Sequence, residues 1–176
     1  MCMKTFSRFP AALILSAVLA VPALAQDSTE VAEAGEMQPT ETAPLDPVLQ
    51  WQEDPTLVFD AADVDLDAFR WIARPVVVFG ESPFDPQFQQ QMDLLTARPE
   101  ALAERDVVLI VDTDPAARTD ARQRLRPRAF MLTLIGKDGQ IELRKPAPWD
   151  VRELSRSIDK MPLRQQEMRD RRSTEG

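Results

Sequence analysis

The side chains best suited to chemistry gather around one loop and one turn. Ser82 and Asp85 lie in or just after the polar stretch Glu81-Ser82-Pro83, which follows the apolar run Val76 to Phe79 and Gly80. A buried strand that feeds a helix through a short loop is where α/β proteins bind ligands. A serine hydroxyl beside free helix amides could hold an anion or a substrate carbonyl there. The simpler role for Asp85-Pro86 is a helix N-cap followed by proline at the first helical position, with Asp85 itself filling the amides. Lys137, Asp138 and Arg144 form the second group, in a turn and the strand after it; strand register decides whether Arg144 faces the loop or solvent. Ser82 with Lys137 has the residue types of a nucleophile–base dyad but no spacing signature. Arg118, Arg122, Arg124, Arg126 and Arg128 make a basic cluster broken by Asp120, which reads first as a solvated, salt-bridged face. Asp112, Asp114 and Asp120 could meet a hard cation, but no EF-hand-like spacing surrounds them.

What the sequence lacks excludes more. Its one cysteine is Cys2, and it has no histidine and no tyrosine. Cysteine nucleophiles, histidine bases, Ser-His-Asp triads and thiolate or imidazole metal sites are therefore excluded beyond Cys2, and no cofactor is expected. Lys4 and Arg8, the apolar run Ala11 to Ala20 and the A-x-A site Ala23-Leu24-Ala25 read as a signal peptide over residues 1–25, cleaved after Ala25. An exported protein is expected, periplasmic or secreted, and no later apolar run approaches the ~20 residues of a membrane span. The net charge of −8 is unevenly spread. Residues 26–56 hold eight acids and no base, with Glu, Pro, Thr and Ala abundant, and read as an acidic disordered linker. Residues 57–176 are nearly balanced, with 19 bases against 21 acids, so nucleic acid is not an expected partner.

The elements that must position these residues follow from periodicity. Leu57 to Phe59 suits a short edge strand, and Asp65 to Ile72 a brief helix with Leu66, Phe69 and Ile72 on one side. Val76 to Phe79 and Val107 to Val111 are continuous apolar runs, as strands buried on both faces require. Phe84, Phe88, Met92 and Leu95 recur with helical spacing after the Asp85 cap. Ala116 to Leu125 reads as a helix with Arg118 and Arg122 exposed, and Phe130 to Ile135 as a third core strand. Lys137-Asp138-Gly139 turns the chain back into a strand at Ile141 to Arg144. Asp150 with Glu153 resembles a capping box before the buried stripe Val151, Leu154, Ile158 and Met161, which Pro162 stops. Residues 164–176 read as a polar tail. Parallel strands joined by crossovers and then an antiparallel hairpin predict an α/β fold, a thioredoxin-like three-layer sandwich with a mixed sheet, over residues 57–163.

Several stretches resemble the domain of unknown function 4174 family, a thioredoxin-like group related to segments of vertebrate sushi-repeat extracellular-matrix proteins. They are LDAFRWIARPVVVFGES (66–82), RDVVLIVD (105–112), LIGKDGQIELRKPAPWD (134–150) and IDKMPLRQQEMR (158–169). The GKDG turn followed by LR is the most specific marker. The resemblance implies the fold and an exported setting, with no reaction attached. Thioredoxins carry CxxC where this chain has residues 81–85, and a cis-proline where it has Phe130 and Met131; both departures tell against redox activity. The expected function is a non-redox module that binds a protein or cell-envelope component, with Ser82, Asp85, Lys137 and Arg144 as the candidate interaction site. The alternative is a small-molecule or anion binder, or a weak hydrolase, built on the 81–85 loop.

Overall fold

A computed structural model describes residues 46–174. The expected signal peptide and most of the expected acidic linker lie outside these residues. Within them the chain runs α1 (Pro47–Glu53), β1 (Val58–Asp60), a 3-10 turn (Leu66–Phe69), β2 (Arg74–Phe79), α2 (Pro86–Thr96), α3 (Pro99–Ala103), β3 (Val107–Asp112), α4 (Asp120–Leu125), β4 (Met131–Ile135), β5 (Ile141–Lys145), α5 (Val151–Asp159) and α6 (Pro162–Thr174). The strands form one sheet in the order β1-β3-β2-β4-β5. The first three are parallel, and β4 and β5 each run antiparallel to their neighbour.

Every residue of β2 is buried, because the strand is central and covered on both faces. Alternation along it divides the core in two. Val77 and Phe79 pack with Trp51, Phe59, Phe69, Ile110 and Leu125, while Val76 and Val78 pack with Leu95, Leu102, Leu109, Leu134, Leu154 and Ile158. Each of these side chains contributes roughly 1.5–3 kcal/mol on leaving water. Helices on both faces of a mixed sheet in this strand order make a thioredoxin-like α/β sandwich, as the sequence predicts.

Two boundaries differ from expectation. The linker ends earlier than residue 56: Asp46 caps α1, and buried Trp51 donates its indole N–H to the Val107 carbonyl at 3.2 Å. Acidic composition around it concealed one large anchor. Residues 164–174 are not a tail but most of α6, and its docking is electrostatic rather than apolar. Arg74, 1% exposed, donates from Nη2 to Glu167 at 2.8 Å and from Nη1 to the Arg105 carbonyl at 2.9 Å. Lys137 Nζ joins them, 2.9 Å from Asp106 and 3.2 Å from Glu167. Buried Arg164 reaches Glu167 and the Glu104 carbonyl. A hydrophobic-periodicity reading has no means to find a helix held this way.

Burial works against ionised Glu167, but the hydrogen bond and charge of Arg74, with the charge and hydrogen bond of Lys137, hold its carboxyl below the ordinary glutamate range. A depressed folded-state pKa stabilises the fold above the unfolded-state value, and that contribution is lost as pH falls through the folded-state value. Glu167→Gln should therefore cost about 2 kcal/mol at neutral pH. Urea melts of variant and wild type should begin to converge in the ordinary glutamate range and meet only below it, once the pH has fallen through the depressed folded-state value; a gap that persists in stronger acid contradicts this account of α6.

Candidate functional site

The carboxyl ends of β2 and β3 carry the loop singled out above. Asp85 caps α2, its Oδ1 accepting from Gln87 N–H at 2.9 Å and Phe88 N–H at 3.5 Å, while Oδ2 accepts from Glu81 N–H at 3.4 Å. Ser82 is also turned inward on the loop: its Oγ accepts from Phe84 N–H at 3.3 Å and its carbonyl from Asp85 N–H at 3.1 Å. The amides an anion would use are thus taken by the loop's own side chains. Gly80 leads into the loop where a Cβ would stand 3.1 Å from Phe88 Cβ, so a larger residue would push strand and helix apart.

Beneath the loop lies an ion pair that spacing alone did not reveal. Asp112, the last residue of β3, is 2% exposed. Arg122 donates to its carboxylate from Nη2 at 2.7 Å and from Nε at 3.1 Å, and Thr119 Oγ1 donates to its other oxygen. The same Nη2 also donates to the Gly80 carbonyl at 3.0 Å, and the guanidinium stacks 5.3 Å from the centre of the Phe79 ring. Arg122 is therefore not the exposed residue expected. The helix starts at Asp120 rather than Ala116, with Thr119 as its cap, and the buried Asp112 draws Arg122 inward. One guanidinium fastens α4 to the ends of two strands and to the base of the loop.

Above this lock the loop presents Phe84, 80% exposed and the most exposed large apolar side chain among the described residues. The helical stripe predicted from Phe84 begins in fact at Phe88. In place of Phe84, α2 buries Gln91, whose amide exchanges two hydrogen bonds with the Trp149 backbone at 2.7 and 3.0 Å.

The four candidate residues do not converge. Ser82 and Asp85 share the loop. Lys137 lies at the opposite end of the sheet: β4 runs antiparallel to β2 with Phe79 opposite Met131, and the Lys137 carbonyl accepts from Trp71 N–H at 2.7 Å. A six-residue strand of ~20 Å separates it from the loop, so a Ser82–Lys137 dyad does not form. The Lys137-Asp138-Gly139 turn is sound as predicted, with Gly139 at φ +84 where glycine is the fitting residue. Arg144 sits opposite Thr133 on β5 and donates to the Leu125 carbonyl at 2.9 Å, closing the end of α4. The basic cluster is likewise divided, since Arg124 pairs with Asp67 at 2.8 Å. Among the described residues no group of three or more acids, histidines or cysteines is placed to hold a metal ion, and no helix is long and apolar enough to cross a membrane.

Sheet order and helices on both faces define a thioredoxin-like α/β domain, with Glu81 to Asp85 in the self-capped loop between β2 and α2. A family model described as a domain of unknown function (DUF4174) matches residues 65–167, more than half of the chain, and the chain belongs to that family. No curated protein matches it. Among solved structures it is similar to the mitochondrial 2-cys peroxiredoxin from Plasmodium falciparum, at 16% identity over 55% of this chain and 79% of that one, with a TM-score of 0.42.

Removing the lock should loosen both strand ends. Arg122→Ala leaves Asp112 buried and unpaired, at an expected cost of about 3–5 kcal/mol. Lysine at that position should recover little, because it cannot bridge the carboxylate and the Gly80 carbonyl together. Thermal melts measure the loss, and faster hydrogen exchange at Gly80 and Glu81 locates it.

Proposed function

We propose that the mature chain is an exported, non-redox thioredoxin-fold module that binds a protein or cell-envelope component through the 81–85 loop. The observation that carries this reading is Phe84, held in water on a loop that Asp85, Ser82 and Arg122 make rigid. An exposed aromatic on a pre-ordered backbone loses little entropy on binding, as an interface anchor should. The absence of cysteine after Cys2 supports the non-redox part, and the charged n-region with its Ala23-Leu24-Ala25 site supports export. Anion binding or hydrolysis at the loop is disfavoured by the occupied amides of α2 and the distance of Lys137.

Photo-cross-linking in cells from position 84 should yield a discrete partner band that Arg124, on the far face of α4, does not. Phe84→Ala should leave stability within about 0.5 kcal/mol of wild type while reducing partner capture at least tenfold. Reduction of insulin disulfides by the mature protein at enzyme-like rates would sink the non-redox reading. Recovery of the chain in the cytosol with residues 1–25 intact would sink export.

A further inference from the structure

A second surface lies at the edge of the sheet, on β1. This strand pairs with β3 alone. Ala61 N–H donates to the Val111 carbonyl at 2.8 Å, so Ala61 and Phe59 turn their backbone polar groups toward β3. Alternation then directs the N–H and C=O of Val58 to the open side. Alongside runs a cavity of about 580 Å³ between β1 and α1, lined by Pro47, Gln50, Leu57, Val58, Asp60 and Asp63 among others. Leu57 and Val58 are partly exposed here at 37% and 41%, close to the least expected place for apolar side chains, a free strand edge.

The segment that forms this edge carries charge of one sign, although Arg118 and Arg124 of the α4 region stand beside its far end. From Asp46 to Phe69 the chain carries seven acids and no lysine or arginine. Asp60 and Asp63 lie on the groove itself, while Asp67 is paired with Arg124. A second copy of β1 would bring the same acids against each other, so the edge repels its own kind.

We propose that the open edge of β1 takes up an extended basic-apolar polypeptide segment as an added strand. The Val58 backbone supplies the ladder hydrogen bonds, the groove between α1 and β1 receives alternate apolar side chains, and Asp60 and Asp63 receive the lysines or arginines between them. This surface is independent of the 81–85 loop.

The test uses the full-length chain and two labelled probes, one peptide of alternating valine and lysine and its valine–glutamate counterpart. The lysine probe should bind by fluorescence anisotropy, protect the Val58 amide from hydrogen exchange, and weaken as salt is raised; the glutamate probe should not bind. Val58→Pro removes the outward N–H without touching the pairing to β3, a change that edge strands accept. It should weaken binding roughly tenfold or more, and Asp60→Asn with Asp63→Asn several-fold. Binding of both probes alike, unaltered binding by a folded Val58→Pro variant, or exchange protection elsewhere with Val58 unprotected would each overturn the proposal. Sedimentation showing a dimer that Val58→Pro dissolves would overturn it too, by giving the edge to a second copy.

Discussion

A guanidinium taken out of water at the head of the central strand sets the terms for this fold. Arg74 opens β2, the strand with no exposed residue, and its charge can stay there only if opposite charge and carbonyl oxygens come to it. They come from two places in the chain, residues 105–106 before β3 and Glu167 in α6. Asp106 enters β3 in a left-handed conformation at φ +52 and offers both its carboxylate and its carbonyl, the latter accepting from Arg74 N–H at 2.6 Å. Arg105 gives a carbonyl, and Glu167 a carboxylate from α6. Lys137, from the β4–β5 turn, balances the two acids. The network ties the start of β2 and the approach to β3 to the hairpin and the last helix, so it positions elements that apolar packing alone leaves free to slide.

The other end of the sheet uses the same device on a smaller scale. There the buried charge is a carboxylate, Asp112, and the group that answers it is Arg122. Both ends of β2 are thus held by an arginine pairing across the sheet, with the apolar core between them. The consequence for function is a division of labour. The hydrogen-bonding groups of Ser82, Asp85 and the Gly80 carbonyl are spent on holding the loop still, and Phe84 faces outward beside exposed Glu81 and Pro83.

Much of the fold could be read from the sequence because its signals are local. The runs at Val76 to Phe79 and Val107 to Val111, the Asp85-Pro86 cap, the Lys137-Asp138-Gly139 turn and the stripe from Val151 to Met161 each depend on neighbours a few residues away. The misses involve partners far apart in sequence. Trp51 meets Val107 across 56 residues, Arg74 meets Glu167 across 93, and Gln91 meets Trp149 across 58. Nothing in the spacing of polar residues distinguishes a buried arginine with a distant carboxylate from an exposed one. The candidate site is hidden for the same reason: residue type alone links its four members, whereas the antiparallel register of β4 sends Lys137 and the 81–85 loop to opposite ends.

The separation of Arg74 from Glu167 also bears on the order in which the chain can be made. A polypeptide emerges from its N-terminus, and β2 is complete long before α6 has left the ribosome. Until residue 167 arrives, closing the sheet around Arg74 would bury a charge short of its nearest carboxylate. Early closure around Arg74 is therefore costly, and the full ion-pair network can form only once α6 has been made.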